Sequence, residues 1–199
     1  MKTLTESDSH ALIECAECLA GNGVAIVPTE TVYGLMTRWD NDAGRERIYA
    51  LKHRPAAKRL QMLAASYEDA IKYGVGDSPQ LRRLAQAFWP GALTVVAPNR
   101  DRTDSIGLRI PSHPFVLRLL KKCGCALAAT SANLSGEPPA IDCGHALAHL
   151  DGQPDLAVDG GVITVTGGTA STVISLLDDT PVILREGVIS LPQIAAALA

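Results

Sequence analysis

Residues 24–35 read Val24-Ala25-Ile26-Val27-Pro28-Thr29-Glu30-Thr31-Val32-Tyr33-Gly34-Leu35. The apolar run Val24–Val27 predicts a buried strand, and Pro28 stops it because proline cannot donate to a sheet ladder. The chain then opens into a polar loop with Thr29, Glu30, Thr31, Tyr33 and Gly34. A buried strand that delivers polar groups at its carboxyl end is how open α/β sheets build ligand sites.

Outward from this stretch the two periodicities alternate. Leu12, Ile13, Ala16, Leu19 and Ala20 recur at helical spacing, so a helix is expected over 10–20, capped by Ser9 and stopped by Gly21-Asn22-Gly23. Further helices are expected over 42–51, 67–73, 79–88, 113–122, 143–149 and 191–198, with Ser78-Pro79 opening the third of these. Strands are expected at 60–65, 92–97, 106–110, 126–129, 162–165, 172–177 and 182–184. Helices and strands alternate early and strands cluster late, which predicts a three-layer α/β fold with a mixed sheet.

Composition sets the limits. A chain of 199 residues with 47% hydrophobic residues suits one domain, 1–199, with a core large enough to need no staples. Aromatics are 4%, so that core is aliphatic. The net charge of −3 does not attract polyanions overall, and any phosphate or RNA binding has to come from a local basic patch. Five cysteines, an odd number, read as reduced thiols. The polar start, Met1 to His10, lacks the apolar core of a signal peptide, and no run is long enough to span a membrane. A cytoplasmic protein with no membrane partner is expected.

Several clusters carry chemistry. Lys52-His53-Arg54-Pro55-Ala56-Ala57-Lys58-Arg59 concentrates cations that suit phosphate, or alternatively a solvated helix end. Thr130-Ser131-Ala132-Asn133-Leu134-Ser135-Gly136 presents donors and acceptors for a ligand, or only caps the next helix. Arg109 sits inside an apolar strand, where it needs solvent or an anionic partner. Arg185 stands at another strand end beside Glu186 and Gly187. Cys15-x-x-Cys18 with Cys123-x-Cys125 departs from zinc spacing, His145 and His149 lack a zincin glutamate, and Gly160-Gly161 and Gly167-Gly168 make no nucleotide loop.

Taken in order, these segments resemble the YrdC-like family, which includes threonylcarbamoyl-AMP synthases. The resemblance rests on residues 28–35, Lys52-His53-Arg54-Pro55, Trp89-Pro90-Gly91 with Leu93-Thr94, and Leu108-Arg109-Ile110-Pro111 with His113-Pro114. It continues through Ser131-Ala132-Asn133-Leu134-Ser135-Gly136, Asp159-Gly160-Gly161, Ser171-Thr172-Val173 and Leu184-Arg185-Glu186-Gly187. It implies a twisted mixed sheet with helices on both faces and a concave, positively charged cavity. It also implies an enzyme that joins L-threonine, bicarbonate and ATP into threonylcarbamoyl-AMP and pyrophosphate. That product serves tRNA modification with partner proteins. Magnesium arrives with ATP, and no tightly bound cofactor or metal-ligating residue is expected.

By the same resemblance, Lys52 and Arg54 are the catalytic cations. Lys58, Ser105, Ser131, Asn133 and Arg185 join them around ATP. Thr31 and Arg109 hold threonine, Arg109 by its carboxylate. Lys58, Arg59 and Leu63 stand where many relatives carry Asn, Pro and His, and Ile141 stands where relatives often place a Ser or Thr. Two other readings remain. Leu177-Asp178-Asp179-Thr180-Pro181 also resembles a YciO-like paralogue of altered activity. Alternatively, the cluster at 52–59 with Arg82, Arg83, Arg100, Arg102, Lys121 and Lys122 makes a face for double-stranded RNA in tRNA or rRNA maturation.

Overall fold

The computed structural model describes every residue except Gly167 and Asp179. The glycine pair at 167–168 and the segment 177–181 therefore lie partly outside the described residues. In chain order the elements are β1 (Lys2–Thr5), α1 (Ala11–Ala20), β2 (Ala25–Val27), β3 (Gly34–Arg38), α2 (Asp42–Leu51), β4 (Gln61–Leu63), α3 (Tyr67–Lys72) and α4 (Pro79–Phe88). They continue with β5 (Leu93–Pro98), β6 (Ser105–Arg109), α5 (Pro114–Cys123), β7 (Leu127–Ser131), α6 (Cys143–Ala148), β8 (Leu156–Asp159), β9 (Thr172–Ser175), β10 (Val182–Arg185) and α7 (Leu191–Leu198). Local chemistry explains several boundaries. Ser78 Oγ accepts from the Leu81 amide at 3.1 Å, and Pro79 follows in the first turn of α4. Gly124 ends α5 at φ 62°, a conformation that suits glycine.

The strands form one ten-stranded sheet in the order β1-β8-β2-β3-β7-β4-β6-β5-β9-β10. Parallel and antiparallel pairs are mixed: β1–β8, β2–β8, β4–β6 and β5–β9 run parallel, while β2–β3, β3–β7, β4–β7, β5–β6 and β9–β10 run antiparallel.

Side-chain alternation decides which face each helix covers. Ala25, Val27, Met36, Leu127, Leu156 and Val158 pack under Cys15 and Leu19 of α1 and Phe115 and Leu119 of α5. Their neighbours Ile26, Leu35, Ala128 and Ala157 point the other way, against Ile48 of α2 and Ala146 of α6. In the far half of the sheet, Met62, Leu93, Val95, Leu108 and Ile174 pack under Ala70 of α3, Leu81 and Leu84 of α4 and Ile194 of α7. Register places Met62 beside Ala128, so α2, α6, α3, α4 and α7 share one face. The opposite face carries α1 and α5 over one half only. Over β6, β5, β9 and the Gln61 end of β4 that face is bare, and the bare strip becomes the floor of the candidate site.

The structure differs from the sequence expectations in five places. Lys2–Thr5, expected as a polar start, is an edge strand whose one buried side chain is Leu4. Residues 34–38, expected as the continuation of a loop, turn back as β3 against β2. Leu156–Asp159 forms β8 between β1 and β2, whereas the expected strand at 162–165 is irregular: the Ile163 amide donates to Ile141 O at 2.8 Å outside any ladder. Ser9 does not cap α1. His10 holds the N-cap position without a side-chain bond, and Asp8 Oδ1 accepts from the His10 amide at 2.8 Å one turn earlier. Finally, the polar residues after Pro28 split: Thr31 lines the cavity over the bare face, whereas Tyr33 packs in the cluster under α2 and α6 and its hydroxyl donates to Gly161 O at 2.7 Å.

Candidate active site

A cavity of about 740 Å³ opens over the bare strip. Its floor is one face of five strands: Gln61 of β4, Ser105, Gly107 and Arg109 of β6, Thr94 and Val96 of β5, Val173 of β9, and Ala129 and Ser131 of β7. The period-2 spacing of these residues is the alternation of a pleated strand. The walls are the loop 52–60 after α2, the loop 131–139 after β7, Thr31, and Arg185 of β10. All nine predicted site residues (Thr31, Lys52, Arg54, Lys58, Ser105, Arg109, Ser131, Asn133 and Arg185) line this one cavity.

Backbone carbonyls orient the cations. Lys52 is 1% exposed, and its ammonium donates to Ser131 O at 2.5 Å and to Asn133 O. Burial pushes its pKa down to about 8, and the neighbouring Arg54 charge adds to the effect. Arg54 donates from Nε to Lys58 O and from Nη2 to Arg59 O, both at 2.7 Å. Arg185 donates from Nε and Nη2 to Ser171 O at 3.2 and 2.8 Å, and from Nη2 to Ser171 Oγ at 3.1 Å. Burial lowers the pKa of both guanidinium groups, and Arg185 is lowered further by Arg109 and Arg54. Carbonyl partners fix position without cancelling charge, so this end of the cavity keeps its positive potential.

Arg109 is held differently. Its guanidinium pairs with Glu30 at 2.7 Å and donates to Thr31 Oγ1 at 3.0 Å and to Gly91 O at 3.1 Å. The two charged side chains are 4% and 12% exposed. Burial raises the Glu30 pKa, but Arg109 and the Ser112 amide more than offset this, and the carboxyl ends below its usual range. Glu30 was missed as a site residue; its adjacency to Thr31 was visible, but nothing in the spacing tied it to Arg109. The Thr31 hydroxyl accepts from Arg109 and lies 3.0 Å from Thr29 Oγ1, whose own proton goes to Val32 O. The Arg109 bond takes one lone pair of Thr31 and leaves the other to accept from a ligand.

Asn133 offers the cavity an acceptor. Both its amide hydrogens are used, by Leu134 O at 2.7 Å and Glu137 O at 2.9 Å, and these two carbonyls set the orientation of the amide. Its buried Oδ1 has no partner. An unpartnered acceptor suits a donor such as a ribose hydroxyl and does not suit a phosphate oxygen. Leu63 is buried in the core under α5, and Ile141 packs against the α2 and α6 cluster. Neither lines the cavity.

The cations invoked for an RNA face do not converge. Lys52, Arg54, Lys58 and Arg59 line the cavity, whereas Arg100 and Arg102 line a separate cleft with Asp77 and Asp178. Arg82 is paired with Asp77, and Arg83 donates to Leu198 O. The five cysteines are unpaired, and no group of three or more potential metal ligands gathers among the described residues.

Comparison with known proteins agrees with this fold. The family model for Sua5, YciO and YrdC proteins, described as "Telomere recombination", matches residues 17–187. A threonylcarbamoyl-AMP synthase of Bacillus subtilis is 36% identical over 197 residues, covering 94% of this chain and 56% of that protein. The crystal structure of Pyrococcus abyssi Sua5 complexed with L-threonine superposes with a TM-score of 0.89 at 30% identity, covering 99% of this chain and 60% of that one. Escherichia coli YciO superposes with a TM-score of 0.83 at 25% identity, covering 97% of both chains. The chain thus spans little more than half the length of the first two. The match over 171 of its residues, 17–187, places the chain in the Sua5/YciO/YrdC family.

Proposed function

We propose that the chain is an L-threonylcarbamoyladenylate synthase, which makes threonylcarbamoyl-AMP and pyrophosphate from L-threonine, bicarbonate or carbon dioxide, and ATP. The observation that carries this reading is that one cavity holds its cations in two ways. Lys52, Arg54 and Arg185 rest on backbone carbonyls. Arg109 is paired with Glu30 and bonded to Thr31. The carbonyl-held cations suit a polyanion. Arg109 and Thr31 suit an amino acid, with its carboxylate at Arg109 and its ammonium or hydroxyl at the Thr31 lone pair. That a Pyrococcus abyssi relative has been solved with L-threonine supports threonine as that amino acid.

In the reaction, the threonine amine attacks carbon dioxide and loses a proton, giving a carbamate. A carbamate oxygen then attacks the α-phosphate, and the bond to the β-phosphate breaks as pyrophosphate leaves. Two anions must meet, and fixed cations lower that barrier. Arg54, Arg185 and the Lys52 ammonium neutralise the phosphates, with Lys58 at the rim. Asn133 Oδ1 accepts from the ribose, and Ser105 and Ser131 supply hydroxyls beside it. Glu137 is the carboxylate on the cavity wall, and it lies 2.7 Å from His149. Magnesium therefore fits as a companion of the triphosphate, held by phosphate oxygens and water. No helix among the described residues is long and apolar enough to cross a membrane. In this reading the product is handed to tRNA-modification partners in the cytoplasm.

The test is pyrophosphate release from ATP by purified protein, with L-threonine and bicarbonate supplied or omitted. Release that needs both, and is lost in Arg54→Ala and Lys52→Ala, is expected. A folded, magnesium-supplied protein that releases none would overturn the synthase assignment and favour a paralogue activity on the YciO pattern.

A further inference from the structure

Gln61 has no part in the reaction as described, yet the fold prepares it for one. It lies on the cavity floor in β4, beside Ala129 of β7 in register. Its side chain reaches over β6 to β5, where Thr94 Oγ1 donates to Gln61 Oε1 at 3.0 Å. Strands two places apart are separated by about 9–10 Å, so this contact crosses an intervening strand. It can do so because the residue between is Gly107. A Cβ there would lie 3.8 Å from Gln61 Cβ and 3.9 Å from Thr94 Cγ2, so any longer side chain would stand in the contact. Glycine inside a strand weakens it, and a close approach of other groups is a usual compensation.

The proton order along this contact follows from the bond that Thr94 donates to Gln61. The Arg185 guanidinium can only donate, and its Nη2 lies 3.1 Å from Ser171 Oγ. Ser171 Oγ and Thr94 Oγ1 are 2.9 Å apart. The Thr94 proton goes to Gln61, so the Ser171 proton goes to Thr94. The chain therefore runs one way, Arg185 to Ser171 to Thr94 to Gln61 Oε1. It orients the Gln61 amide so that the NH2 group is free, and that nitrogen donates to no other group among the described residues. Two amide hydrogens thus face the cavity that also holds the cations and Arg109.

We infer that Gln61 is a substrate-binding residue whose amide donates to a carboxylate- or carbamate-type oxygen of the amino-acid substrate, with Thr94 and Ser171 as its positioning residues. This rests on the synthase reading above. Such an oxygen is acceptor-only and matches a pure donor. A phosphate oxygen is already served by Lys52, Arg54 and Arg185.

The experiment compares wild type with Gln61→Leu, Thr94→Val and Thr94→Ser in the pyrophosphate-release assay, titrating L-threonine and ATP separately. Thermal unfolding is followed in parallel. Gln61→Leu is expected to raise KM for L-threonine by about 10- to 100-fold, the size of a hydrogen bond to a charged group, with KM for ATP unchanged. Thr94→Val, which frees the amide to rotate, should shift the same parameter in the same direction, and Thr94→Ser should restore it. An unchanged threonine KM in Gln61→Leu, or an effect on ATP instead, overturns this inference alone. A wild type with no threonine-dependent release overturns the synthase reading and this inference with it.

Discussion

Arg109→Met is expected to destabilise the fold by about 3–5 kcal/mol, the usual cost of stranding one member of a buried ion pair. Glu30 is left with a buried carboxylate, 12% exposed, and its Oε2 already has no hydrogen-bond partner. The effect carries a pH signature. In the wild type the folded Glu30 pKa lies below the ordinary value of 4.5. Its contribution to stability is thus present above that value and is lost as pH falls through the lower folded value. In the variant, burial acts without Arg109 and raises the Glu30 pKa, so the folded state takes up a proton more readily than the unfolded chain. Stability then rises as pH falls, and the deficit against wild type shrinks. Urea unfolding at about pH 7.5 and pH 5 reads this directly. The double variant Arg109→Met with Glu30→Gln should recover most of the loss. A deficit that is the same at both pH values, with no recovery, would mean that the pair is not what Arg109 contributes.

Lys52→Met carries the second large effect. The side chain is buried and supports Ser131 and Asn133 through their carbonyls, so its loss frees the loop that carries both residues. Turnover is expected to fall by about 10²- to 10³-fold, as for other fixed electrostatic contacts to a reacting anion. Here too pH separates the charge from the scaffold. The wild-type ammonium is held down to about 8, first by burial and then by Arg54. Above that pH it is neutral in the free protein, and a triphosphate bound beside it raises its pKa again. Binding should therefore take up a proton above about pH 8, and affinity should decline as pH rises through that value. Titration calorimetry in buffers of different ionisation enthalpy measures the uptake. Wild type and Lys52→Met with the same proton uptake would exclude Lys52 as the group responsible.

Much of this was legible from the chain. The helices over 42–51, 79–88 and 191–198 were predicted to the residue, because each has a clear amphipathic period and the last two open on Ser and Pro. The cation pair Lys52 and Arg54 and the Ser131 and Asn133 loop converge as expected. Strands were harder to read. β1 is a polar edge, and β3 follows a loop so closely that Gly34 and Leu35 looked like its end. The site face was harder still. Gln61, Thr94 and Gly107 lie far apart in sequence, and only the strand order brings them together. A single sequence carries the alternation of each strand but not the order in which strands pair, and so not which face the helices leave bare.

The carbonyl-held cations have one further consequence. Burial and then the Arg54 charge lower the pKa of Lys52, and burial, then Arg109 and Arg54, lower that of Arg185. Evolution could have relaxed that tension with acidic neighbours, as it did for Arg109 with Glu30. Instead the ligand-free protein keeps it, in a chain whose overall charge is −3. An arriving polyanion is then the missing counter-charge of the fold, and saturation of the cavity and tightening of the sheet around it become one thermodynamic event.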